Sequence, residues 1–232
     1  KYNQTDLRNI LERSSARKTA IEVAVGAVAK QILSQFDVKC SSRIIQIGNG
    51  KTEKEFQSEI DKAKEAGDTL GGKFEVVFEN LPVGLGSHVH WDRMLDGKIA
   101  QALMSIPAVK SVSIGNHHAY KMFGSEFHDQ MYLEDGKIVR KTNNAGGIEG
   151  GMTNGEPIVV TAVMKPIPTL RKPLNTVDLK DLTETEAHLE RSDTCAVEAC
   201  SVVAESRIAC VLVDEFLLKF GGDSLKEIKN RV

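Results

Sequence analysis

Read for spacing of apolar and polar positions, the chain alternates helical and extended periods from end to end. Across residues 13–36, Ile21, Ala24, Val25, Val28, Ile32 and Phe36 recur every three to four positions, which predicts one long helix burying that stripe. A short strand follows at 43–47, closed by Gly48-Asn49-Gly50, and 51–66 reads as a polar, charge-laced helix broken at 68–72. Residues 73–79 are rich in β-formers, and the glycine-proline turn at 81–86 leads into Ser87-His88-Val89-His90-Trp91-Asp92. Helical spacing returns over 94–106, with Ile99, Ala102, Leu103 and Ile106 inward; Pro107 ends it before a strand at 109–114. A strand pair at 131–133 and 138–141, a strong strand at 158–164 and a polar segment at 174–188 precede a long amphipathic helix at 197–220. Gly221-Gly222 stops that helix, and Asp223-Ser224 can cap a last short one. The pattern predicts a single domain over 1–232, α+β or α/β, with sheets and long helices sharing one core; α+β is the class expected here.

Composition narrows the class without changing this picture. The 232 residues are 41% hydrophobic and 27% charged with a net charge of −2, an ordinary globular composition that gives no reason to expect nucleic acid or membrane as partner. No apolar run approaches the roughly 20 residues that cross a bilayer, and the first residues carry no signal-peptide core, so the expected compartment is the cytoplasm. Cys40, Cys195, Cys200 and Cys210 have neither paired metal-ligand spacing nor disulfide-scaffold density, and read as reduced, mostly buried thiols. His88 and His90 would share one face of an extended segment, but no third ligand stands at a recognisable interval, so no metal is expected.

Candidate chemistry concentrates in three places. Residues 142–155 hold five glycines in fourteen positions, and two readings stand side by side: a turn-rich surface loop, or a nest of backbone amides gripping an anion with Lys165 beside it. The rigid Pro166-Ile167-Pro168 would hold Lys165 and Thr169 in place. Arg13, Ser14, Ser15 and Arg17 sit where the predicted helix begins, where free amides favour anions, although simple serine capping explains the same residues. Arg191 and Asp193 precede the long helix; Asp193 reads as a base, as a helix N-cap or as a salt-bridge partner of Arg191. Arg13, Arg17, Lys165 and Arg191 together suit a small ligand bearing several anionic groups.

Six blocks, in this order, resemble the chorismate synthase family: Ser14-Ser15-Ala16-Arg17-Lys18-Thr19-Ala20, the run 84–92, the run 102–109, residues 142–155, Lys165-Pro166-Ile167-Pro168-Thr169, and Glu190-Arg191-Ser192-Asp193. The resemblance covers the chain and implies a β-α-β sandwich of that family's type. It also implies anti-1,4-elimination of phosphate from 5-enolpyruvylshikimate 3-phosphate to give chorismate, with reduced FMN (FMNH2) lending an electron transiently, in a cytoplasmic homotetramer. Carried over block by block, Arg13, Ser14, Ser15, Pro107, Ala108, Gly150, Lys165, Pro166, Ile167, Pro168, Thr169 and Arg191 would contact the flavin. Ser15, Arg17 and Arg191 would contact substrate, while Asp193, with Arg191, would serve the chemistry near flavin N5. For Asp193 the resemblance thus favours the base over the cap.

Two family blocks, Gly-Glu-Ser-His-Gly and Arg-Pro-Gly-His-Ala-Asp, have no counterpart here, and with them go the two family histidines implied in proton transfer. None of this chain's six histidines matches them, and the connection at Gly48-Asn49-Gly50-Lys51 is shorter than in most members. The expectation is an enzyme seen without its N-terminal third, inactive if Lys1 is its true start. The alternative is a non-catalytic FMN-binding or assembly remnant.

Overall fold

The computed structural model describes residues 2–6, 8–189 and 193–232. In chain order it contains α1 (Arg8–Ser14), a 3-10 turn (Ala16–Lys18), α2 (Thr19–Ser34), β1 (Lys39–Ile47), α3 (Glu53–Glu65), β2 (Gly72–Glu79), α4 (Leu95–Met104) and β3 (Val109–Ile114). There follow α5 (Gly124–Phe127), hairpins β4 (Met131–Glu134) with β5 (Lys137–Arg140) and β6 (Ile148–Glu149) with β7 (Met152–Thr153), and β8 (Ile158–Met164). Last come β9 (Asn175–Asp178), β10 (Thr183–Glu186), α6 (Val197–Phe220) and α7 (Leu225–Lys229). The fold is α+β.

One antiparallel sheet, ordered β1-β2-β8-β3, organises the molecule. Phe74, Val76 and Phe78 alternate onto one face of β2 and are fully buried; across the ladder Phe74 pairs with Ala162, which pairs in turn with Val112 of β3. Against this face lies α6, flanked by α2 and α4, and its Val197, Ala204, Ile208, Leu212 and Phe216 have no more than trace exposure. Local chemistry fixes the element ends. Thr52 Oγ1 accepts from the Glu55 amide while Glu55 Oε2 accepts from the Thr52 amide, a reciprocal cap that starts α3. Gly221, at φ +59°, ends α6, and Ser224 Oγ caps α7.

Three expectations need correction. The helix foreseen over 13–36 is broken at Ser15 into α1, a 3-10 turn and α2. Of the stripe expected to be buried, Ile21 is 71% exposed and Val25 and Val28 57% each, Ile32 is half-buried, and Phe36, past the helix end, packs against Phe216; Gly26, Ala29 and Leu33 form the buried side of α2. α2 is apolar on two faces, and the small residues win the contact because α6 approaches so closely that only they fit. The polar segment at 174–188 contains the β9/β10 hairpin, invisible to pattern reading because both strands are exposed throughout and so carry no alternation. No helix among the described residues is long and apolar enough to cross a membrane.

The closest helix contact is the most sensitive point. A Cβ added at Gly26 would sit 2.2 Å from Ser206 Cβ and 2.5 Å from Ser206 Cα, so the backbones themselves would have to part. We expect Gly26→Ala to destabilise the protein by at least the roughly 1–3 kcal/mol typical of overpacked cores, despite alanine's better helix propensity, as read by denaturant unfolding.

Candidate functional site

The glycine-rich segment does form a nest, but the anion it holds is the chain's own. Asp129 Oδ1 accepts from the Asn144 amide at 2.7 Å and from Thr142 Oγ1 at 2.6 Å, and Oδ2 accepts from the Ala145 amide at 2.9 Å. Gly146 and Gly147, at φ +66° and +79°, allow two backbones to meet: an added Cβ would lie 2.3 Å from Gly115 N and 2.4 Å from Pro157 O respectively. At Thr142, Asn144 and Ala145 the expected anion site is therefore an internal lock, with Lys165 elsewhere. Gly150 differs from its neighbours. It stands at φ +58° with no atom within 4 Å of where a Cβ would be, while next to it Gly151 O accepts from Leu95 N and ties the turn to the start of α4.

Two other blocks gather around the turn at 67–71, and a third joins one of them. The Lys165 amide donates to Ala108 O at 2.9 Å, joining Pro107-Ala108 to the stretch after β8; Ala108 takes φ +72°, unusual for a residue with a Cβ. Thr69 Oγ1 donates to Ile167 O at 2.7 Å, and Leu70 N donates to Thr194 O at 2.8 Å, so Pro166-Ile167-Pro168 and the residues beside Asp193 hang on adjacent residues. Lys165 Nζ is exposed and donates to Pro166 O at 3.1 Å. Thr169 extends the same stretch toward Arg171, whose amide donates to Gly67 O. Exposed Asp193 shares a small crevice with Lys64, Thr69 and Arg171. The cap of α6 is Ala196, so Asp193 is not the cap that spacing also allowed. Arg191 lies outside the described residues.

The α1–α2 junction forms a separate groove of about 810 Å³, lined by Arg8, Arg13, Ser15, Arg17, Lys18 and Glu22 among others. Here Ser15 follows the capping reading, its Oγ accepting from the Arg17 amide at 3.2 Å, whereas Ser14 Oγ donates back to Ile10 O within α1 at 3.2 Å and caps nothing. Arg13 and Ser14 end α1 instead of starting a helix, which corrects their expected place at a helix N-terminus.

The sheet measures how far apart these groups lie. Gly150 belongs to the loops before β8 and Lys165 follows it; seven residues of strand separate those ends by roughly 20 Å. Likewise Gly151 is tied to the first residue of α4 and Pro107-Ala108 lies past its last, roughly 15 Å of helix away. Gly150 thus precedes β8 and Lys165 follows it, at opposite ends of that strand. Among the described residues no group of three His, Cys, Asp or Glu side chains gathers as a metal site, and His90 Nδ1 instead meets Asp92 Oδ1 at 2.9 Å. All four cysteines are free thiols; burial pushes Cys40 up to about 12 and Cys200 to about 11.

The family profile described as Chorismate synthase matches residues 1–217. The chain belongs to the chorismate synthase family. It is 54% identical to the chorismate synthase of Thermoanaerobacter pseudethanolicus over 231 residues, covering 99% of this chain and 66% of that protein. The Aquifex aeolicus chorismate synthase is 48% identical over 267 positions, covering 100% of this chain and 67% of its own, so that relative carries insertions this chain lacks. A solved chorismate synthase structure superposes with a TM-score of 0.85 at 44% identity, covering 99% of this chain and 72% of that one. The chain spans about two thirds of the length of the curated chorismate synthases it matches.

The Asp129 lock gives a pH-dependent expectation. Partial burial raises the carboxyl pKa, but the hydrogen bonds from Ala145, Thr142 and Asn144 outweigh it, and the net pKa lies below the ordinary aspartate value. A depressed folded value means the stabilisation is complete above the unfolded value of about 3.9 and is lost as pH falls through the folded one. Asp129→Asn should remove about 1 kcal/mol, a partly exposed charge-assisted bond being worth less than a buried one. It should also speed amide exchange at Asn144 and Ala145 at neutral pH; unchanged exchange there refutes the lock.

Proposed function

We propose that the full protein of which this sequence is the described part is a carbon–oxygen lyase of aromatic amino acid biosynthesis. It converts 5-enolpyruvylshikimate 3-phosphate to chorismate and phosphate in the cytoplasm, with residues 1–232 acting as one domain. The observation that carries this reading is that blocks matched to the family as separate stretches of sequence meet in space: Lys165–Thr169 and Asp193 lie against the turn at 67–71, and Ala108 bonds to Lys165.

Reduced FMN fits what is present. Arg13 and Arg17 face an open groove, and among the described residues no carboxylate lies within ion-pair distance of either guanidinium. Gly150 leaves open the approach to its backbone, and the Lys165 ammonium is exposed. These groups would hold phosphoryl oxygens, with Ser14, Ser15 and Thr169 adding hydroxyls and Arg191 serving both flavin and substrate. When bound, reduced FMN supplies an electron transiently to the substrate. The protein's own part is to orient two anionic ligands, exclude water and hold positive charge where phosphate departs. Asp193 is assigned the ring proton. Because Gly150 and Lys165 stand at opposite ends of the sheet, we place the Gly150 loop at the flavin of a neighbouring copy in a homotetramer, with flavin sites close to subunit contacts.

The test is anaerobic turnover with reduced FMN, using the full-length polypeptide. Asp193→Ala and Arg191→Ala should each slow turnover at least about tenfold, a barrier rise of about 1.4 kcal/mol. Unchanged rates exclude these residues from the reaction. A full-length protein that binds FMN without turnover supports the non-catalytic remnant instead.

A further inference from the structure

Arg207, in the middle of α6, belongs to none of the blocks matched to the family's site, yet its guanidinium is the junction between two of them. Nε donates to Glu22 Oε2 at 3.0 Å, and Nη2 reaches Glu22 Oε1 and Oε2 at 2.9 Å each. From the same plane, Nη1 donates to Ser105 Oγ at 2.8 Å and to Ala102 O at 3.3 Å. Glu22 lies in the first turn of α2, one turn after Lys18, whose Nζ stands 3.5 Å from Glu22 Oε1. Ser105 directly follows α4 and stands two residues before Pro107. One rigid fork thus ties the start of α2 and the end of α4 to the central helix.

Each charge sits where helix dipoles favour it: the carboxylate at the N-terminus of α2, the guanidinium over the last carbonyls of α4. The arrangement needs arginine. A lysine ammonium is a point charge on a flexible stem and cannot present three nitrogens in one plane to partners on two helices. Nor does the core need it for apolar packing, since Ala204, Ile208 and Leu212 already fill the space on either side along α6.

We infer that Arg207 is a positioning residue that sets the spacing between the Ser15–Lys18 segment and Pro107-Ala108, and thereby the affinity for FMN. The second half of this inference rests on the function proposed above; the first half does not. An arm that holds binding segments without touching the reacting atoms should change ligand affinity and leave chemistry at saturation nearly intact.

The experiment compares Arg207→Met, Arg207→Lys, Glu22→Gln and Ser105→Ala in the full-length protein by amide hydrogen exchange without ligand, then by FMN titration and turnover. Arg207→Met should speed exchange in 16–19 and in 105–109 while leaving β2 at the wild-type rate, and Arg207→Lys should fall between the two. Glu22→Gln should release only the first segment and Ser105→Ala only the second, which keeps the test decisive if Arg207→Met fails to fold. FMN should bind about tenfold more weakly to Arg207→Met, with kcat at saturating flavin within about threefold of wild type. Unchanged exchange in both segments overturns the inference, as does wild-type FMN affinity or a loss confined to kcat. If the wild-type protein itself does not bind FMN, the proposed function fails, and exchange alone decides whether Arg207 fixes the two segments.

Discussion

Everything in this molecule is referred to α6, which is buried on more than one side. Its apolar stripe covers the sheet, Ser206 meets Gly26 of α2 at backbone contact, and Glu215, nearly inaccessible, pairs with Lys98 of α4. Burial of this kind holds the layers together but is non-directional. Direction comes from polar contacts at fixed points along the helix: Lys30 with Glu205, Arg207 with Glu22 and Ser105, Lys98 with Glu215. A charge with even partial burial is costly to leave unpaired, so each of these contacts selects one register of α2 or α4 on α6 and disfavours the rest. The segments 16–19 and 105–109 inherit that precision because they lie where α2 starts and where α4 stops.

Legibility in the sequence followed how local each signal was. The bounds of α6 are those the pattern gives, 197–220, because a long apolar period ends at glycines that permit the positive φ observed. The β4/β5 hairpin and the strand at 158–164 were readable for similar local reasons. Failure came where a distant partner decided the outcome. The face of α2 that packs inward is set by Ser206, 180 positions away in sequence, and the larger Ile21, Val25 and Val28 lost to glycine and alanine. The nest at 144–145 was foreseen as a motif, but nothing within the motif tells that Asp129 would fill it.

For the site, residue types were easier to read than places. Blocks in family order name candidate residues, yet order along a chain says nothing about separation in space. Lys165 and Pro107-Ala108 meet because β3 and β8 are antiparallel neighbours, with Val109 paired to Met164. Gly150 is drawn to the opposite end by the same strand, since a loop that enters β8 and a loop that leaves it cannot meet in one copy without bending the ladder. On the function proposed above, convergence of these residues on one flavin is assigned to contact between copies.

Charge pairing explains which cations remain for a ligand. Lys18 and Arg207 share Glu22, Arg140 is held by Glu149, and Arg43 by Glu75, so their positive charge is largely compensated within the protein. Arg13 and Arg17 line the same groove as Lys18 but have no such carboxylate among the described residues. With a net charge of only −2 over the whole chain, selectivity for a multiply anionic ligand cannot come from a broad positive field. It has to come from local imbalance. Glu22 pairs with Lys18 and Arg207 and leaves the two arginines toward α1 without an ion-pair partner among the described residues, so on the function proposed above the carboxylate that fixes the geometry of α2 also marks where an anion would bind.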